Sequence, residues 1–189
     1  MRIAVIGAGR LGSTIGGMWE KAGHEVIYGL RDPAKHKGAK SIGEALKSAD
    51  IILLAIPGNS VVHFAHEHAK DLDGKVLIDA TNNFGGPSMN SWSEMSTLLP
   101  NAKLYRAFNT YGFDVFAEPS VGGDRPCLFY AGPEGQGQKE VDTLITDVGL
   151  NPVWVGGQDA VDVVDGLLRL WFTLSRHRGR RIAFKLIAD

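Results

Sequence analysis

Four aliphatic residues, Ile3 to Ile6, run directly into Gly7-Ala8-Gly9-Arg10-Leu11-Gly12, and no other feature restricts the fold of this chain as tightly. The run is too short for a helix and reads as a buried strand. A GxGxxG pattern in that position calls for a tight turn followed by a helix packed close on the strand. Each glycine has its own reason to be there. Gly7 permits the turn, Gly9 lets backbone approach a pyrophosphate, and Gly12 brings the helix against the sheet. The amides of the helix's first turn, together with its dipole, favour phosphate charge. Ala8, Arg10 and Leu11 fill the variable positions of the same cofactor-binding turn. For Arg10 two readings stand, a pyrophosphate contact or a solvated first-turn side chain.

Similar short aliphatic runs recur along the chain and predict strands at 3–6, 25–28, 51–55, 76–79, 104–108, 127–131 and 153–155. Most are continuously apolar, as expected of parallel strands covered on both faces. Helical patterns at 10–21, 41–48, 60–69 and 139–148 alternate with them. This is the βαβ order of an α/β protein, a Rossmann-type, doubly wound and mostly parallel sheet. The segment 159–174 predicts a further helix, with Asp159, Asp162, Asp165 and Arg169 confined to one charged stripe and the remainder apolar. The expectation is one domain over 1–189, with 157–189 as a short C-terminal helical extension. Residues 85–96, "GGPSMNSWSEMS", read as a loop.

The end of the second strand carries the chain's most informative single residue. An NAD-binding protein usually places Asp or Glu about 20 residues after the glycine turn, where it accepts hydrogen bonds from ribose hydroxyls. Here the strand ends Gly29-Leu30-Arg31. A guanidinium offers a planar fork of donors and a permanent charge, which suits a 2′-phosphate and so NADP(H). Lys35 is a second cation nearby, and Gly29 leaves room for the phosphate. The alternative assigns the ribose to Asp32; its position before Pro33 reads more naturally as a cap.

Ligands of open α/β sheets bind beyond the carboxyl ends of the strands. Ile56 and Pro57 follow the third aliphatic strand, Asp79, Thr81, Asn82 and Asn83 the fourth, and Asn109, Thr110 and Tyr111 the fifth. Amides and hydroxyls of this kind suit a carboxamide or a sugar without adding charge. No nucleophile motif and no metal-spaced Cys/His set is present. His63, His66 and His68 read as a solvated helix rather than a metal site. No catalytic residue is assigned, because hydride transfer needs mainly positioning and exclusion of water.

Apolar residues are 44% of the 189, charged ones 22%, and the formal net charge is −1, so charge makes no case for a nucleic-acid partner. A single cysteine, Cys127, excludes an intramolecular disulfide. The first residues hold too few apolar side chains for a signal-peptide core, and the run at 51–56 is far shorter than the ~20 residues that span a bilayer. These features predict a cytoplasmic protein with no membrane partner.

Taken in order, "GAGRLG", "YGLRDPAK", "AIPG", "IDATN", "AFNTYGF", "FYAGP" and "LLRLWFTLSRHRGRRIAFKLI" resemble the coenzyme F-420-dependent NADP oxidoreductases, whose fold also forms the reductase domain of the STEAP metalloreductases. The resemblance covers essentially the whole chain. It implies pyrophosphate at Gly7, Gly9 and Gly12, and 2′-phosphate at Arg31 and Lys35. It places Pro57, Asn82, Asn109 and Thr110 beside the nicotinamide and a second cofactor. It further implies a homodimer and hydride transfer between NADPH and a deazaflavin as the small-molecule redox acceptor. A flavin or small-molecule reductase and a non-catalytic NADP(H) sensor are the competing functions. The basic stretch from Arg176 to Arg181 either meets an acidic cofactor tail or caps the last helix.

Overall fold

Strand β1 (Arg2–Ile6) sits at the centre of a sheet, and its four buried residues Ile3, Ala4, Val5 and Ile6 are covered on both faces, as the unbroken aliphatic run requires. The structure is a computed structural model that describes residues 1–188. The chain divides into two compact units, residues 1–104 and 105–189.

In the first unit, β1 is followed by α1 (Arg10–Lys21), β2 (Glu25–Leu30), β3 (Lys40–Ser41) and α2 (Ile42–Ser48). Then come β4 (Ile51–Leu54), α3 (Val61–Leu72), β5 (Val76–Asp79) and α4 (Trp92–Leu98). The sheet has six strands in the order β3-β2-β1-β4-β5-β6, the last being β6 (Lys103–Arg106). β1 pairs in parallel with β2 and β4, β2 with β3, and β4 with β5. That order reverses direction between β1 and β4, and register brings Ile6 level with both Gly29 and Leu54. The carboxyl ends of three strands therefore finish at one edge, flanking the switch point where such sheets bind ligands.

Local chemistry explains the elements around that edge. α1 buries Ile15 and Trp19 and sets Gly16 against Tyr28, whose hydroxyl would stand 2.4 Å from any Cβ at that position. Burial pushes the Tyr28 hydroxyl up to about 12, so it stays protonated. α2 starts with a capping box, in which Glu44 N–H donates to Ser41 Oγ and Ser41 N–H to the Glu44 carboxylate. The segment read as a loop at 85–96 instead turns helical at Trp92, because Asn90 Oδ1 accepts from Trp92 N–H and starts α4. The charged and small residues of "SWSEMS" hide that helix from a periodicity reading.

The second unit holds the end of β6, then α5 (Phe113–Ala117), β7 (Cys127–Tyr130), α6 (Gln136–Asp147), β8 (Asn151–Trp154) and α7 (Val161–Arg178). β7 and β8 pair in parallel as a separate two-stranded sheet rather than extending the large one. The strand expected at 104–108 stops at Arg106, and Phe108 takes a positive φ of 62°. That conformation is rare for a large side chain, and it is held here by burial against Phe116. The second of the two compact units begins at Tyr105.

α7 also departs from expectation. Asp165 is set apart from the other charges of its stripe; it faces inward and is buried against Arg106. Beyond α7 the chain runs extended along β7, with Cys127 N–H donating to Phe184 O and Phe184 N–H to the Tyr111 hydroxyl. Arg180 pairs with Asp114 and Arg181 with Glu118, so these two cations fasten the tail to α5. Arg176 and Arg178 stay exposed in the last turn of α7, where positive charge complements the helix dipole. No helix among the described residues is long and apolar enough to cross a membrane.

Candidate functional site

The glycine turn is built by close backbone packing. Gly7 has a φ of +102°, and a Cβ there would meet the Ala55 carbonyl oxygen at 2.5 Å. Its N–H donates to Gly29 O, and Ala55 N–H donates to Ile6 O, so the turn is tied to both neighbouring strands. Gly12 faces Gly7 O at 2.1 Å from an ideal Cβ, which brings α1 down onto the turn. Gly9 differs from both, with an ordinary φ of −72° and nothing within 4 Å of its Cβ direction. Its missing side chain therefore serves no internal packing and leaves backbone open to a ligand.

A cavity of about 720 Å³ opens over this turn. Gly7 and Gly9 form its floor, Leu30 and Arg31 come from the end of β2, and Ile56 and Pro57 follow β4. A fourth wall, on α3, brings His63, Phe64, Glu67 and His68. The volume lies within the range that encloses small molecules and cofactors. Of the residues expected to bind cofactor, Gly7, Gly9, Arg31, Ile56 and Pro57 share this lining. Ala8 and Leu11 are half-buried in the turn, Arg10 is exposed at the helix start, and Gly12 packs beneath.

Packing and capping set the roles of three residues around the end of β2. Gly29 lines the cavity, and close packing behind it requires glycine as well. A Cβ on it would strike Ile6 Cδ1 at 2.7 Å and Ala45 Cβ at 3.0 Å, so packing of α2 on the sheet demands glycine. Lys35 does not line the cavity; its ammonium lies exposed, 3.7 Å from the Asp32 carboxylate. Asp32 caps the short turn at Pro33–Lys35 by accepting from Ala34 N–H, the role suggested by the proline after it. Arg31 is exposed and makes no ion pair among the described residues.

α3 was missed as part of the site. Its His63 and Glu67 lie 3.7 Å apart across one helical turn, and both border the cavity. The spacing of His63 and Glu67 is legible in the chain, yet nothing local says which cavity they will face. Among the described residues, no group of three His, Cys, Asp or Glu is arranged to hold a metal ion.

A second cavity, of about 430 Å³, adjoins Pro57 and Asn59. Asn82, Asn83 and the loop at 84–86 complete it, and Phe84 stands 62% exposed at its mouth. Its lining carries amides and an aromatic ring but no formal charge. Close approach explains Gly58, whose Cβ would meet Asn82 backbone at 2.6 Å.

Asn109 and Thr110 belong to the second unit. Asn109 Nδ2 donates to Asp165 Oδ1 at 3.1 Å, while Arg106 Nε and Nη2 donate to the same oxygen at 2.9 and 2.7 Å. Three donors on one carboxylate oxygen fix the Asn109 amide in one orientation. The Thr110 hydroxyl is buried and lacks a hydrogen-bond partner among the described residues.

Comparison with known proteins agrees with this architecture. Residues 2–83 match the model of the family described as NADP oxidoreductase, coenzyme F420-dependent. A candidate F420-dependent NADP reductase of known structure from Arthrobacter sp. FB24 is 25% identical, covers 100% of both chains and superposes with a TM-score of 0.85. A reductive aminase from Aspergillus terreus, solved with NADPH and ethyl levulinate, is 19% identical with a TM-score of 0.66. It matches 92% of this chain over 60% of its own, and at that identity shows the fold alone. A glycerol-3-phosphate dehydrogenase [NAD(P)+] from Pseudomonas savastanoi pv. phaseolicola is 24% identical over 125 residues. That alignment takes in 54% of this chain and 37% of the dehydrogenase, so the chain spans little more than a third of that relative's length. Over residues 2–83, the stretch that builds the larger cavity, the chain carries the sequence signature of the coenzyme F420-dependent NADP oxidoreductase family.

Proposed function

We propose that this protein is an NADP(H)-dependent oxidoreductase that moves a hydride between NADPH and a small redox acceptor, with coenzyme F-420 the foremost acceptor. The observation that carries the reading is Arg31 on the wall of a cavity floored by Gly7 and Gly9. In this reading the open backbone at Gly9 and the first-turn amides of α1 hold the pyrophosphate. The Arg31 guanidinium holds the 2′-phosphate, and Ile56 and Pro57 form an apolar wall. Bound there, the nicotinamide supplies the hydride. The cofactor contacts that the resemblance gives Ala8, Arg10, Leu11, Gly12, Lys35, Asn82, Asn109 and Thr110 belong to the same proposal, as does a cytoplasmic location.

The smaller cavity suits the acceptor. Its uncharged amides at Asn59, Asn82 and Asn83 and the exposed Phe84 ring fit a planar, hydrogen-bonding heterocycle better than a phosphate or carboxylate. The test is to mix the protein anaerobically with NADPH and oxidised coenzyme F-420 and follow loss of the deazaflavin's visible absorbance. Parallel reactions contain FMN, FAD or no acceptor. Bleaching with the deazaflavin supports the proposal. Bleaching with a flavin alone changes the acceptor, and NADPH binding without any turnover overturns the catalytic reading.

Arg31 gives a separate check. Arg31→Glu is expected to weaken NADPH binding by about 1–3 kcal/mol, the range of a charge-assisted contact, and to leave NADH binding almost unchanged. Titration of both nucleotides by fluorescence decides it, and equal losses would remove Arg31 from the 2′-phosphate.

A further inference from the structure

We propose that Glu67 selects the nucleobase of the bound dinucleotide. Its carboxylate accepts a hydrogen bond from the exocyclic amine of adenine and so rejects a base with oxygen at that position. This role rests on the larger cavity being the NADP(H) site, and it adds the group that chooses the base.

Helix α3 turns one face to the cavity. His63, Phe64, Glu67 and His68 all line it, as residues one helical turn apart can. Phe64 is buried, and its ring centroid lies 5.1 Å from that of His68, so part of this wall is aromatic. Glu67 is the only acid among the described residues that line the cavity. Its Oε2 lies 3.7 Å from His63 Nε2 and 4.0 Å from His68 Nε2. Both imidazoles approach the same oxygen, and neither comes within hydrogen-bond distance. They hold the carboxylate in place and leave its acceptor sites to a ligand.

A carboxylate on the wall of a site for a polyanion is costly unless it meets a donor. The neutral donors of NADPH are few. Its carboxamide and nicotinamide ribose belong to the end that gives up hydride. In this reading that end lies by Pro57 and Asn59, which line both cavities. Glu67 is elsewhere, because at ~1.5 Å per residue it stands ~9 Å along α3 from Val61. On the adenosine half, the 2′ position carries phosphate, and Arg31 takes that phosphate together with the adjoining hydroxyl. The adenine amine is the donor that remains, and a carboxylate is a strong acceptor for it. A keto oxygen there would meet the carboxylate acceptor to acceptor, leaving both unpaired. The Glu67 side chain is 60% exposed, so water competes and the selection is smaller than in a closed pocket.

Isothermal titration calorimetry with NADPH and with reduced nicotinamide hypoxanthine dinucleotide phosphate tests this role. The two differ only in the base, which carries an amine in one and a keto oxygen in the other. The wild type should bind NADPH at least tenfold more tightly. Glu67→Gln should bring the two affinities within about threefold, since an amide both donates and accepts. The ratio is the readout, because loss of one negative charge strengthens both nucleotides alike. Wild type that binds the two equally, or Glu67→Gln that keeps the wild-type ratio, overturns the role of Glu67 and leaves the cavity reading standing. Wild type that binds neither overturns the cavity reading, and the role of Glu67 with it.

Discussion

Asp165→Ala is expected to lower stability by about 3–5 kcal/mol, a large part of what a domain of this size possesses. The cause lies in what the carboxylate leaves behind. Arg106 is fully buried, and two of its nitrogens donate to Asp165 Oδ1. Without that oxygen a guanidinium sits in the interior with its main counter-charge removed, and it cannot escape by losing its proton. The Asn109 amide also loses the acceptor that orients it. Denaturant titration and thermal melting measure the loss, and a fall in melting temperature on the order of 10 °C is expected. Replacing both partners, Arg106→Met with Asp165→Leu, should recover most of the stability, because the burial penalty then disappears with the charge. If Asp165→Ala melts like wild type, the pair is not the buried anchor of this unit.

The second large effect separates two glycines of one motif. Gly7→Ala should destabilise the fold by about 2–5 kcal/mol, from a left-handed φ and a methyl forced against a carbonyl oxygen. The φ is +102°, and an ideal Cβ would stand 2.5 Å from Ala55 O. Gly9→Val should cost only about 1 kcal/mol, the loss of a tolerable helix cap, because its φ is ordinary and its surroundings are empty. The same valine fills the floor of the larger cavity, and NADPH affinity should fall more than tenfold, or about 1.4 kcal/mol. Melting curves and NADPH fluorescence titrations on both variants give the comparison. A Gly9→Val protein that binds NADPH normally would show that the nucleotide does not lie across this turn.

These two expectations come from different kinds of information. The glycine turn is legible because all its participants lie within a strand, a turn and a helix that adjoin in the chain. The aliphatic runs were legible for a similar reason, since burial on both faces of a parallel sheet leaves an unbroken apolar stretch. Where the reading failed, a local rule met a distant partner. Gly29 reads as space for a phosphate, and nothing local says that Ile6 and Ala45 also need its missing side chain. Asp165 reads as one member of a charged stripe because it lies near Asp162 on the helix wheel. Only the buried Arg106, 59 residues earlier, makes it an interior residue. α4 was hidden by small polar residues whose helix is started by the Asn90 side chain.

The sequence by itself determined the α/β class, the strand–glycine turn–helix at the amino end, and the cation that stands where an acid is usual. Each of these is a matter of neighbours: backbone freedom, side-chain period and the chemistry of one residue. The tertiary structure alone decided the strand order that puts Gly9, Arg31 and Pro57 around one cavity, and the α3 wall that closes it. It also decided that β7 and β8 form a sheet of their own, and that α7 hides one charge while exposing a seam of aliphatic side chains. Those outcomes depend on which surfaces meet after the chain has folded, and contacts between residues far apart in the chain leave no periodic trace along it.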